Sequence, residues 1–133
     1  MKTEKQKIGR KGERAAARLL RRNGYRILAK NRHFGKNELD IIARDEQYII
    51  FVEVKARTAE TLDDFTARPS EAVDREKRRR TVDAALQYLK QRPVALCPRF
   101  DVIEVYLLKG RRLRVTRINH IPDAFGVSGR IRH

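Results

Sequence analysis

The sequence predicts an α/β domain: a mixed five-stranded sheet flanked by helices. Three observations carry this expectation. Two stretches place apolar residues at helical spacing, Gly9 to Asn23 and a longer one ending near Gln91. Other stretches alternate with period two and are rich in β-branched residues. The order is helix, three strands, helix, two strands, which alternates too little for a doubly wound parallel sheet.

At 133 residues the chain makes a single domain over 1–133, with 41% apolar residues to build a core. Met1 to Ile8 is polar and basic and reads as a flexible start, and 126–133 reads as a flexible end. In the helix from Gly9 to Asn23, Ala15, Ala16, Ala17, Leu19 and Leu20 supply the apolar face, and Gly24 is the stop. Ala16, Ala17 and Leu20 follow Glu13 at three, four and seven residues. That spacing puts Glu13 on the inward stripe near the helix start. On its own it reads as a complement to the helix dipole. Gly9 and Gly12 would allow a phosphate backbone to approach.

Tyr25 to Phe34 is the first strand, and Gly35 to Asn37 the connection. Glu38 to Arg57 is a hairpin turning at Glu46 and Gln47. Folded so, Arg44 faces Ile49, Ile42 faces Phe51, Asp40 faces Glu53 and Glu38 faces Lys55, all on one side of the sheet. The other side is apolar. Asp40 and Glu53 would have Cβ atoms roughly 5 Å apart, a destabilising pair unless something compensates. A divalent cation shared by the two carboxylates compensates.

Thr58 to Pro69 reads as a surface loop. Ser70 is the expected N-cap of the second helix, with Val73, Val82, Ala85, Leu86 and Leu89 as its core stripe. Arg75, Lys77, Arg78, Arg79 and Arg80 put five cations in six positions. That density suits phosphate contact as well as a solvated face. Lys77 lies closest to the buried side. Arg99 to Leu108 is a strand and Arg112 to Ile118 its hairpin partner. Asp101 could support a metal site but reads better as a strand-end hydrogen-bonding residue. The remaining chain packs through Ile121, Pro122 and Phe125. Cys97 is the only cysteine, which excludes an intramolecular disulfide and a cysteine zinc site, and it reads as a core filler.

The charge sets the partner class. With 32 Lys and Arg against 17 Asp and Glu, the net charge of +15 favours a polyanion, nucleic acid before an anionic membrane. No apolar run reaches membrane-spanning length and no signal peptide is visible, so the cytoplasm is the default location. Within this basic chain Glu13, Asp40, Glu53 and Lys55 form an oxygen-rich constellation suited to Mg²⁺. Phosphodiester hydrolysis needs such a cation in a basic groove. A cross-strand ion-pair network balanced by Lys55 is the other reading of the same residues, and the residues alone leave both open.

Asp40, a twelve-residue gap and Glu53-Val54-Lys55 resemble the Asp…Glu-x-Lys signature of the restriction-endonuclease-like nuclease superfamily. Glu13 on the first helix resembles the arrangement in archaeal-type Holliday junction resolvases. The combination of Gly9-Arg10-Lys11-Gly12-Glu13, Glu38 to Asp45, Phe51 to Arg57 and Arg99-Phe100-Asp101-Val102 resembles the YraN family of small bacterial proteins. The likeness covers roughly residues 8 to 125. Leu39 stands where the superfamily often has proline, and Asn37 where this family is expected to have glycine.

The resemblance implies a restriction-endonuclease-like core and a Mg²⁺ or Mn²⁺ site. It implies Glu13, Asp40 and Glu53 as metal ligands and Lys55 as the catalytic lysine. It reduces Glu38 to an ion-pair partner or an outer residue of the site. The expected function is metal-dependent endonuclease action on DNA of branched or processed structure, with DNA ahead of RNA. Arg10, Lys11, Arg57, Arg75, Lys77 and Arg78 to Arg80 are the expected nucleic-acid contacts. A resolvase needs two active sites, which implies a homodimer. The alternatives are a non-catalytic nucleic-acid-binding protein that keeps the nuclease fold, and an interaction protein docking on an acidic partner.

Overall fold

A computed structural model describes residues 2–65 and 75–127. Among the described residues, two α-helices and five strands run in the order α1 (Glu4–Arg22), β1 (Arg26–Phe34), β2 (Asn37–Arg44), β3 (Tyr48–Ala59), α2 (Arg75–Gln91), β4 (Cys97–Leu108) and β5 (Arg114–Phe125), with one 3-10 turn at Leu62–Asp64 inside the expected loop after β3. The strands form one sheet in sequence order. The β3–β4 pair is parallel and the others antiparallel. The expected mixed α/β sheet is therefore the observed one, and it is consistent with a restriction-endonuclease-like core. No helix among the described residues is long and apolar enough to cross a membrane.

Each face of the sheet carries one helix. Ile41, Ala43, Ile50 and Val52 pack with Ala16, Ala17 and Leu20 of α1. Ile42, Ile49, Phe51, Phe100 and Val102 pack with Val82, Ala85 and Tyr88 of α2. A strand covered on both faces needs apolar residues at every position, which explains the unbroken run from Ile49 to Val52. The hairpin register is the expected one, with Arg44 opposite Ile49 and Ile42 opposite Phe51. Its turn is fixed by Asp45, whose Oδ1 accepts from the backbone N–H of Gln47 at 2.8 Å and of Tyr48 at 2.7 Å.

Several boundaries differ from the sequence expectation, each for a local reason. The first helix begins at Glu4 rather than Gly9, because Thr3 and Gln6 form a reciprocal capping box. Gly24, at φ 90°, ends it as expected. The stripe of α2 includes Tyr88, set edge-on to Phe34 and Phe51, while Leu86 is 49% exposed. The last strand runs to Phe125, well past Ile118. Cys97 is exposed, not a core filler. Ser70, Val73, the end of the loop before them and residues 128–133 lie outside the described residues.

Gly12 is buried, and it acts in packing and not in phosphate approach. A Cβ there would lie 3.1 Å from the Cβ of Ala56 on β3, so the absent side chain lets α1 sit close to the sheet. A Cβ on Gly9 meets nothing within 4 Å. Gly12→Val is expected to destabilise the fold by about 1–3 kcal/mol through overpacking. Gly9→Ala is expected to stabilise it by about 0.5–1 kcal/mol through helix propensity. Urea denaturation of the two variants reads the contrast.

Candidate functional site

The site lies where the sheet forks. Pairing between β2 and β3 runs from Arg44–Ile49 to Ile41–Val52 and stops there. The expected Asp40–Glu53 and Glu38–Lys55 rungs are not formed. Beyond the stop, Leu39, Glu38 and Asn37 stay paired with β1, and β3 stays paired with β4 as far as Ala59. Leu39 packs with Ile42 on the α2 side, whereas Ile41 packs on the α1 side. Residues two apart on a regular strand share a face, so the alternation breaks at Asp40. In the gap, Asp40 Oδ2 accepts from the backbone N–H of Val54 at 2.9 Å. A side chain thus takes the place of the ladder acceptor that β3 has lost.

On the α1 side of the fork, Glu13, Glu38 and Asp40 each present a carboxylate oxygen, all within 4.8 Å of one another. Glu13 comes from α1. Its carboxylate is hydrogen-bonded by Asn31 of β1, a residue at φ 51°. Asparagine tolerates this left-handed conformation better than most residues. Burial raises the Glu13 pKa, and the Glu38 charge adds to that. Burial and the Glu53 charge push Asp40 up to about 8, against the opposing Val54 hydrogen bond.

On the α2 side, Glu53 is buried and bridged by two ammonium groups. Lys55 Nζ lies 3.3 Å from Glu53 Oε1, and Lys77 Nζ, from α2, lies 3.1 Å from the same oxygen. Burial and the neighbouring Lys77 pull the Lys55 pKa down, with Glu53 opposing.

The structure therefore brings Glu13 and Asp40 together, and adds Glu38 to them. It sets Glu53, Lys55 and Lys77 on the other side of Asp40. The only ion-pair contact of Glu38 among the described residues is His33, at 4.0 Å. Of the other expected nucleic-acid contacts, Arg10 lines a cleft of about 410 Å³ that opens on Glu13, and Lys11 lines a neighbouring one. Arg57, Arg75, Arg79 and Arg80 are exposed and Arg78 half-buried. Asn31 gave no signal in the sequence, because nothing around it marks a left-handed residue within a strand.

Three carboxylates at this spacing fit a hard divalent cation such as Mg²⁺ or Mn²⁺. Burial and the Glu53 charge, with smaller contributions from Glu13 and Glu38, disfavour the ionised Asp40 that a cation would favour.

A model of the uncharacterised protein family UPF0102 matches residues 12–105. A UPF0102 protein of Caldanaerobacter subterraneus is 41% identical over 125 residues, covering 93% of this chain and 98% of its own. One from Syntrophotalea carbinolica is 43% identical over 123 residues, covering 92% and 94%. One from Porphyromonas gingivalis is 41% identical over 117 residues, covering 88% and 82%.

The raised Asp40 makes metal-free stability pH-dependent. Its ordinary pKa is 3.8 and its folded value about 8. Between these the folded state keeps a proton that the unfolded chain has released, so stability falls as pH rises from about 4 to about 8. Asp40→Asn removes this slope. In chelator, thermal denaturation is expected to show the variant gaining on the parent as pH rises through that window; parallel profiles would refute the assignment.

Proposed function

The chain belongs to the uncharacterised protein family UPF0102, to which the YraN motifs pointed, and we propose that it is a metal-dependent endonuclease acting on nucleic acid. DNA of branched or processed structure is the proposed substrate. One observation carries the reading: the fork at Asp40 sets a carboxylate group and a lysine pair held on buried Glu53 on the two sides of one aspartate.

Glu13, Glu38 and Asp40 would hold the cation. When bound, such a cation polarises a phosphoryl oxygen and neutralises the charge developing on it. The chain's own groups do the rest. Lys55 supplies a compact, partly desolvated cation for charge on the transferred phosphoryl group or for orienting the attacking water. Glu53 fixes Lys55, and Lys77 shares the load on Glu53. The ligand role for Glu53 implied by the resemblance would have to coexist with the two lysines that share its Oε1. Arg10 at the mouth of the cleft would hold the substrate phosphates.

The closed Glu53–Lys55–Lys77 cluster also favours a second reading, a non-catalytic nucleic-acid-binding protein in which these groups only stabilise the fold. A cleavage panel separates the two. With Mg²⁺ or Mn²⁺, nicking of junction, flap or single-stranded DNA is expected, and Asp40→Ala or Glu53→Ala is expected to abolish it. Undiminished cleavage by those variants would remove the site assignment. Salt-sensitive binding without turnover under either metal would leave the second reading.

A further inference from the structure

The clefts flanking α1 extend the nucleic-acid reading, on which this inference rests. The first, of about 410 Å³, is lined by Lys2, Lys7, Arg10, Arg14 and Lys30, with Glu13 as its acid. The second, of about 460 Å³, is lined by Lys7, Lys11, Arg14, Lys109 and Arg111, with Glu4 as its acid. Lys7 and Arg14 border both. They are seven residues apart, so they lie on one face of the helix about 10 Å from each other along its axis. Duplex phosphates advance about 3.4 Å per strand step, so that ridge spans roughly three of them.

One wall of the second cleft is α1, with Lys7, Lys11 and Arg14, and the other is remote in sequence from the motif residues. Its far wall is the turn after β4, where Lys109 Nζ lies 3.2 Å from Glu4 Oε1 and the Lys109 N–H donates to the Ala59 carbonyl at 2.8 Å. This last bond ties the turn to the end of β3, the strand that carries Glu53 and Lys55. The turn is thus held in fixed relation to the fork.

We propose that the α1 face is a phosphodiester-backbone track. Nucleic acid engaged at the Glu13 cleft crosses the ridge of Lys7 and Arg14 and lies in the second cleft against Lys109 and Arg111. The track binds backbone and not bases, because it offers ammonium and guanidinium groups and no aromatic platform. Its occupant is nucleic acid and not an acidic protein, since the two clefts share a continuous cationic ridge that repeating phosphates can follow.

The test is fluorescence anisotropy of the full chain with a labelled 30-base-pair duplex in chelator, from 50 to 200 mM salt. Lys109→Ala/Arg111→Ala removes two cations from exposed positions. Its slope of log affinity against log salt is expected to fall by about 1.8, so the affinity lost across that range shrinks about tenfold. An unchanged slope overturns the track. So does displacement of the duplex by polyglutamate as effective as displacement by unlabelled duplex at equal charge. Cleavage assays run in parallel keep the two ideas apart. Metal-dependent cleavage with an unchanged slope removes the track and keeps the endonuclease. A reduced slope with no cleavage keeps the track and removes the endonuclease.

Discussion

The hydrogen bond from the Val54 N–H to Asp40 Oδ2 is the constraint on which the rest of the site depends. A buried backbone donor left unpaired costs about 1–3 kcal/mol. Where β2 and β3 part, β3 would lose its partner on that side. Asp40 restores it from a side chain, so the strands can separate without that penalty. The consequence is geometric. In an unbroken sheet, residues on the two faces are kept apart by the backbone. At the fork, Glu13 from one helix and Lys77 from the other both bear on the neighbourhood of a single aspartate.

The same arrangement explains an electrostatic conflict. Asp40 accepts one backbone hydrogen bond, but burial and the charges of Glu53, Glu13 and Glu38 disfavour its charged form. Natural proteins satisfy most local rules and break a few at functional sites. Here the broken rules coincide: lost strand alternation at Asp40, a left-handed Asn31 within β1, and like charges within 4.8 Å of one another. Close approach of α1 at Gly12 holds the conflict in place by fixing Glu13, the next residue, over the fork.

Much of this was legible in the sequence because it repeats with a period. Alternation in Leu39 to Ala43 and Ile49 to Ala56 predicts the hairpin, its turn and its register. The spacing from Glu13 to Leu20 predicts the buried stripe of α1. What was not legible breaks a period. The pairing argument extends the register to Asp40 and Glu53, since nothing in the residues announces a fork. It therefore treats as a rung what is an interruption, and the cluster gains Glu38 as a result. Gly12 reads as a ligand-facing glycine, because sequence gives the absence of a side chain but not what lies opposite. Leu86 and Tyr88 both suit a core stripe, and only the ring partners Phe34 and Phe51 decide between them.

A fully buried aspartate shows what Asp40 would look like if stability alone governed it. Asp101 is fully buried, yet its pKa is lowered. Burial pushes it up, but its partners outweigh burial. Arg99 grips both oxygens at 2.9 and 2.8 Å, His120 Nε2 lies 2.7 Å from Oδ2, and the Asp123 N–H donates to Oδ1 at 2.9 Å. Arg99 also reaches the Tyr25 hydroxyl at 3.0 Å and stacks over Tyr48, so the network joins β4 and β5 to the hairpin and to the end of α1. This chain thus has the cations and donors to neutralise a buried carboxylate, and does so two strands away. Around Asp40 stand Glu53, Glu13 and Glu38, and the nearby lysines are committed to Glu53. The contrast supports reading the fork as a place for an external cation, because among the described residues Asp40 has no ion pair of its own, whereas Asp101 is gripped by Arg99.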